Sequence, residues 1–434
     1  MVVAVAGALP SVLWALDGSD LLHDDWAITE GVQRLGVWHE VASRATGSPA
    51  RPLSALYLGL THGAFGSHPL PHVLVLAALN AAAAALVLLL ACRLAGRDLA
   101  LWIALAWVAL PNRGSTRLWI AMGSAMLALC LLLAGIVLLW ERRDLAAGLT
   151  MAAGVLAYEA VAALALGAVA VVAWRSRPAS RRLWLSAAVP VIAATVVIFA
   201  MSPKRNPAAN VPFSNWERLL PAQFGTGVFG PLAFPGGFVL LAAVTVAVAR
   251  LLPSFRGSLD DRDRCVLAGL GVLALGSGPF LVAGFPFATG GLVDRGNLTG
   301  GLGTAMILGA VLWWVAAKVR VAGPAGAAAA VVLVAVLNGT DLGNYRRAVR
   351  DGEVLEARLA ADLPSFDESL VVGPPLPDRG GVKQFIVYGD LAGALRLSRG
   401  EPALVARMAL TRADFATATE PLRYDWVERR VSHR

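Results

Sequence analysis

The chain has 434 residues, of which 57% are hydrophobic and only 15% charged, against roughly 45–50% and about 25% in soluble domains; its mean hydropathy is +0.65. A formal net charge of +8 would suit a nucleic-acid binder, but the basic residues are scattered through short loops between apolar runs. No basic stripe with interleaved aromatics exists, so nucleic acid is excluded as a partner and a lipid bilayer is implied.

Residues 1–16 are apolar with no basic leader and read as a short first membrane helix. Further apolar runs fall at about 70–92, 98–111, 117–140, 145–158, 159–173, 183–201, 236–252, 265–287, 298–317 and 321–338. That makes about eleven crossings, given the roughly 20 residues a helix needs to span a bilayer. The runs at 98–111, 145–158 and 159–173 are short for a crossing and imply tilt or different bounds. The segment 51–66 is apolar enough to span, but it holds His62 and is followed by Pro69 and Pro71. Reading it as a span would invert every later loop, so it reads as a helix on the outer surface. Cys92, Cys130 and Cys265 lie far apart in or beside apolar segments. They read as inert thiols, not a disulfide framework.

Arginines cluster in alternate loops: Arg93 and Arg97; Arg142 and Arg143; Arg175, Arg177, Arg181 and Arg182; Arg250, Arg256, Arg262 and Arg264; then Lys318 and Arg320. The positive-inside rule makes these loops and the N-terminus cytoplasmic. The opposite set (17–69, 112–116, 202–235, 288–297 and the tail from about 338) then faces outward from the plasma membrane.

Charge density rises from Asp341. Residues 345–363 read as an amphipathic helix, and 369–373 as a strand before the turn Gly373-Pro374-Pro375-Leu376-Pro377, with a second strand at 385–388. The expected fold is an all-α polytopic membrane domain over residues 1–338, with its long first outer loop at 17–69. A small extracytoplasmic α/β domain follows over 339–434.

Ionisable residues gather at five outer turns: His23-Asp24-Asp25-Trp26; Arg51-Pro52; Pro111-Asn112-Arg113-Gly114-Ser115-Thr116-Arg117; Tyr158-Glu159, where a long apolar stretch must turn; and Asp294-Arg295-Gly296-Asn297. Charge at membrane depth is costly and usually functional. Each group also has a plain structural reading. Asp24 and Asp25 suit a helix N-terminus, Arg51 a headgroup anchor, and Arg113 and Arg117 snorkelling to lipid phosphate; Asp294 and Arg295 suit a local ion pair. Glu159 has no basic neighbour in sequence and needs a partner or a task. Five of the six histidines (His23, His39, His62, His68 and His72) fall in or beside the first outer loop. That permits a divalent metal on His23 and Asp24, although no strong metal spacing is present; polar loop residues are the alternative. Trp14, Trp119, Trp140, Trp174 and Trp313 sit near helix ends, as an interfacial belt requires.

In this order the turns resemble those of the C-type membrane glycosyltransferases (the GT-C fold). Asp24-Asp25-Trp26 resembles their acidic pair in the first outer loop, and Arg51-Pro52-Leu53 their Arg-Pro stretch. Residues 111–120 resemble the second outer loop, Tyr158-Glu159 the Lys-Glu or Tyr-Glu pair of a later turn, and Asp294-Arg295 the acidic-Arg pair opening a late helix. The resemblance covers about residues 15–300 and not the tail. Asn112, Ser115-Thr116, Tyr158 and Gly296 depart from the usual pattern.

The resemblance implies inverting transfer of a sugar from a polyprenyl-phosphate carrier to an extracytoplasmic glycan, lipid or protein. It implies Asp25 as base with Asp24 as its rival, and Glu159 as a second carboxylate that orients the acceptor or helps hold a metal. Arg295 and Arg51 would bind the phosphate, with Arg113 and Arg117 behind them. A divalent ion is compatible with the family but nothing in the residues demands one. A lipid-linked saccharide transporter, an envelope-assembly scaffold and a saccharide ligase or polymerase are the alternatives.

Overall fold

The structure, a computed structural model, describes residues 1–434 apart from 48–50, 111–112, 176–182, 202–259, 283–290, 320–322, 364–367, 380–381, 386–388, 402 and 434. The chain is mostly helical. Four helical stretches are long and apolar enough to cross a membrane: Pro69–Leu94, Ile120–Trp140, Asp261–Val282 and Asp294–Lys318. Val2–Leu16, Asp144–Ala157, Glu159–Ala173 and Trp184–Ile198 are shorter apolar helices. Of the eleven expected crossings, 236–252 lies outside the described residues.

Small residues let the helices pack closely, the usual device where apolar side chains alone cannot drive association. α1 (Val2–Leu16) lies along α5 (Pro69–Leu94), and a Cβ added at Gly7 would stand 2.7 Å from that of Ala84. α8 (Gly123–Trp140) packs on α9 (Asp144–Ala157), where a Cβ at Gly154 would meet the Ala128 carbonyl at 3.0 Å. α12 (Asp261–Val282) packs on α13 (Asn297–Val319), where a Cβ at Gly269 would meet the Gly303 carbonyl at 2.9 Å.

Several expected bounds are corrected. The span drawn at 117–140 starts later, because Trp119 is extended (φ −96, ψ 121) and separates α7 (Gly114–Leu118) from the spanning stretch. The run at 98–111 yields only α6 (Arg97–Ala109), 13 residues or about 20 Å. The long apolar stretch does break at Tyr158, which is extended (φ −157, ψ 109) between α9 and α10 (Ala162–Arg175). After a π turn at Trp184–Ala188 the chain runs into α11 (Val189–Met201). The helices expected at 321–338 and 345–363 are one continuous α14 (Gly323–Asp362) of 40 residues, so the expected boundary at 338/339 falls inside a helix. A lone Gly339 costs about 1 kcal/mol and does not end a helix that contains no proline there.

The first loop folds as α2 (Asp24–Leu35), α3 (Val37–Gly47) and α4 (Pro52–Phe65). α4, the ambiguous segment, has 14 residues, about 21 Å.

The tail carries a four-stranded sheet ordered β2-β1-β3-β4: β1 (Leu370–Gly373), β2 (Ala406–Met408), β3 (Leu422–Asp425) and β4 (Arg430–His433). β1 runs parallel to both neighbours, Leu370 pairing with Ala406 and Leu422, while β4 is antiparallel to β3. Its Leu-Val-Val-Gly run is wholly buried, as a central parallel strand requires. β1 lies where a strand was expected; of the second expected strand, 386–388 lie outside the described residues. α15 (Asp390–Arg399) connects β1 to β2, and α16 (Arg412–Thr417) is capped by Thr411, whose hydroxyl accepts from Asp414 N at 2.9 Å. This second core, around Leu355, Leu359, Val372, Leu395 and Tyr424, is separate from that of the bundle, and Trp26 packs against both.

Candidate functional site

The site is built outward from the start of α2. His23 holds φ 52, ψ −132, a left-handed conformation that favours glycine and costs about 1–3 kcal/mol. Asp25 N donates to Leu22 O at 3.0 Å and closes the turn; His23 N donates to Gln384 O at 2.8 Å and ties it to the tail domain. The Asp25 side chain is fully buried and accepts from the backbone N–H of Leu22 at 3.2 Å and from that of Ala121. Burial first, then the adjacent Asp24 charge, holds its carboxyl well above the usual carboxylate range. Burial raises Asp24 as well, opposed by Arg44 and Arg295.

The His23 ring, 1% exposed, stands edge-on to Trp119 with centroids 5.1 Å apart. Burial and Arg295 push it down to about 3, so it is neutral. Both His23 ring nitrogens, one oxygen each of Asp24 and Asp25, and the indole N–H groups of Trp26 and Trp119 have no hydrogen-bond partner among the described residues. Buried polar groups are nearly always satisfied, so such a concentration of exceptions marks a place built for something else.

Arg113 and Arg117, expected to face phosphate, are turned inward, each 2% exposed. Arg117 Nη2 donates to Val108 O at 2.8 Å and Leu110 O at 3.0 Å, supplying the carbonyls that α6 leaves open at its C-terminus. Arg113 Nη1 donates to Trp107 O at 2.9 Å, and its guanidinium lies 3.5 Å from the Trp107 ring centroid. Asp294 does not pair locally with Arg295. It accepts from Ser115 N at 3.2 Å and from the Ser115 hydroxyl, and so caps the short α7. Asp341 approaches Gly114, where an added Cβ would meet Oδ2 at 3.1 Å, and both carboxylates act on Arg117. Arg295 is thereby set apart from Asp294, and its charge acts on His23 and Asp24.

Arg51 and Glu159, assigned separate tasks from sequence, bind each other. Arg51 Nε and Nη2 each lie 2.6 Å from a Glu159 oxygen, and the guanidinium sits 4.6 Å from the Tyr158 ring centroid. Glu159 thus has its basic partner 108 residues away. The His62 and His72 rings lie tilted against each other with centroids 4.4 Å apart, and His62 Nδ1 is 2.8 Å from the Thr29 hydroxyl, which donates to Asp25 O.

The tail domain meets α2 directly. A Cβ at Gly393 of α15 would stand 2.9 Å from the Trp26 carbonyl carbon and oxygen. Gln384 Nε2 donates to Asp20 at 2.9 Å. Burial raises Asp20 to about 6, and Glu356 to about 7 with help from Asp20 and Glu353. Sequence reasoning missed Asp20, Gln384, Asp341 and Asp390. The Gly389-Asp390 pair is a helix-start signal, but nothing local says which way that helix faces.

No three metal-ligating side chains converge among the described residues. An apolar cavity of about 640 Å³ lies farther along the bundle, between the C-terminal halves of α5 and α8 and parts of α10, α12 and α13, with Trp140 and Arg142 at one end.

Comparison with protein-family models, curated proteins and solved structures finds no match for this chain.

Proposed function

We propose that this chain is a membrane glycosyltransferase of the GT-C type, moving a sugar from a polyprenyl-phosphate carrier to a hydroxyl acceptor at the outer face of the plasma membrane. The observation that carries the reading is the set of buried polar atoms around Asp24 and Asp25 that have no partner among the described residues, at the end of an apolar bundle suited to a lipid-linked substrate. Asp25 takes the proton of the acceptor hydroxyl while the hydroxyl oxygen bonds to the sugar's anomeric carbon. The bond from that carbon to the phosphate oxygen breaks on the opposite side, and the polyprenyl phosphate departs with the negative charge. Arg295, whose charge reaches this pocket, is the candidate to stabilise it. Burial first, and the like charge of Asp24 second, keep Asp25 proton-avid. Arg51 and Glu159 hold the first loop against the break between α9 and α10.

The rival reading is transport of a lipid-linked saccharide, to which the apolar cavity lends support. A transport path favours helices broken near midplane. The Gly276-Ser277-Gly278-Pro279 segment instead lies within one helix. Gly276 there serves packing, since a Cβ would meet the Thr299 carbonyl at 2.6 Å; Phe285-Pro286 lie outside the described residues.

The test compares wild type with Asp24→Asn/Asp25→Asn in membranes of a host lacking the native gene, scoring consumption of a panel of polyprenyl-phosphate sugars. The expected result is consumption by the wild type and a loss of at least a hundredfold in the double variant at equal protein level. A cellular phenotype retained by the double variant would favour the transporter or a scaffold.

A further inference from the structure

The tail domain does more than cover the bundle. α15 packs on the first turn of α2: a Cβ at Gly393 would stand 2.9 Å from the Trp26 carbonyl carbon, so no side chain separates the two helices there. Asp390 lies one turn earlier on α15 and is fully buried. A Cβ at the neighbouring Gly389 would lie 4.0 Å from that of Ala27 on α2, and the Asp390 charge acts on Asp25. The Asp25 charge in turn acts on Tyr57 of α4 and Tyr345 of α14. A second contact, His23 N to Gln384 O at 2.8 Å, fixes the tail domain to the strained turn on the other side of the acidic pair. Arg396 lies 3.6 Å from Glu30 and holds the register one turn farther along α2.

At the same end of α2, the His23 ring, 1% exposed, and the indole N–H groups of Trp26 and Trp119 have no hydrogen-bond partner among the described residues. Carboxylates accept hydrogen bonds, whereas a neutral imidazole and two indoles offer donors and flat apolar faces. That combination suits a polyhydroxylated ligand.

We propose that Asp390, carried by the tail domain, is a third carboxylate of the Asp24–Asp25 pocket and a positioning residue for a hydroxyl-bearing acceptor, so that the site is assembled from both cores. The catalytic part of this inference rests on the transferase reading; the shared pocket does not.

Two arms separate them. In the full chain with Cys92, Cys130 and Cys265 replaced by Ala, Asp25→Cys/Asp390→Cys is treated with short bifunctional thiol reagents. Glu30→Cys/Arg396→Cys serves as the control pair. The second arm measures consumption of polyprenyl-phosphate sugars by Asp390→Asn and Asp390→Glu, each checked for wild-type melting. The expected result is bridging of both pairs, with a roughly tenfold fall in maximal rate for Asp390→Asn at unchanged donor KM. Partial recovery by Asp390→Glu is expected, which a merely structural role would not show. Bridging of the control alone, or a wild-type rate in Asp390→Asn while Asp25→Asn is inactive, overturns the proposal and leaves the transferase reading intact. Bridging at positions 25 and 390 in a chain that consumes no donor leaves the shared pocket standing and removes the transferase reading.

Discussion

Replacing Arg117 by Met tests whether its guanidinium is a phosphate ligand or a helix cap. Its Nη2 serves two carbonyls, Val108 O at 2.8 Å and Leu110 O at 3.0 Å, and the residue is 2% exposed. Methionine fills much of the volume but donates nothing, so both carbonyls lose this donor. Each such loss costs about 1–3 kcal/mol, giving about 2–6 kcal/mol in all. The carboxylates of Asp294 and Asp341, which act on Arg117, lose a compensating charge and push the value toward the upper end. Lysine keeps the charge but cannot reproduce the fork, so Arg117→Lys falls roughly halfway. The assay is unfolding of the full chain in detergent, followed by tryptophan fluorescence, alongside donor KM for the folded fraction. A Met variant that melts like wild type yet binds donor tenfold more weakly would refute the capping argument and restore Arg117 as a phosphate ligand.

Arg51→Glu and Glu159→Arg should each destabilise the full chain, and the double swap should recover most of the loss. With side chains 32% and 30% exposed, the coupling measured by the double-mutant cycle should be about 1–2 kcal/mol; independent effects of the two would deny the pairing. Asp20 and Glu356 are raised to about 6 and about 7, so the folded chain binds their protons more tightly than the unfolded chain. Their contribution is therefore full below about pH 4 and is lost as pH rises through about 7. Melting at pH 5 against pH 7.5 should show this slope, and Asp20→Asn/Glu356→Gln should flatten it; an unchanged slope would place the titration elsewhere.

Much of the molecule was legible one window at a time. The apolar runs at 70–92 and 298–317, and residues 265–282 of the run expected at 265–287, lie along helices long enough to cross a membrane, because burial in lipid imposes length and composition locally. The acidic start of α2 and the break at Tyr158 were likewise written in adjacent residues. The 338/339 boundary was not, because the change in polarity there leaves the backbone helical.

What no window contained is which charge meets which. Arg113 and Arg117 carry the same residue type as Arg295, yet the first two turn toward the end of α6 while the field of the third reaches Asp24. Glu159 finds Arg51 across 108 residues, and the charge of Asp390 acts on Asp25 from an element of the second core. Hydropathy and helix propensity act over a few turns and determined the class of protein. The partners of buried charges depend on which helix ends are brought within a few ångströms. That is decided by packing of the whole chain, because desolvation makes every unpaired end costly until a distant residue arrives to meet it.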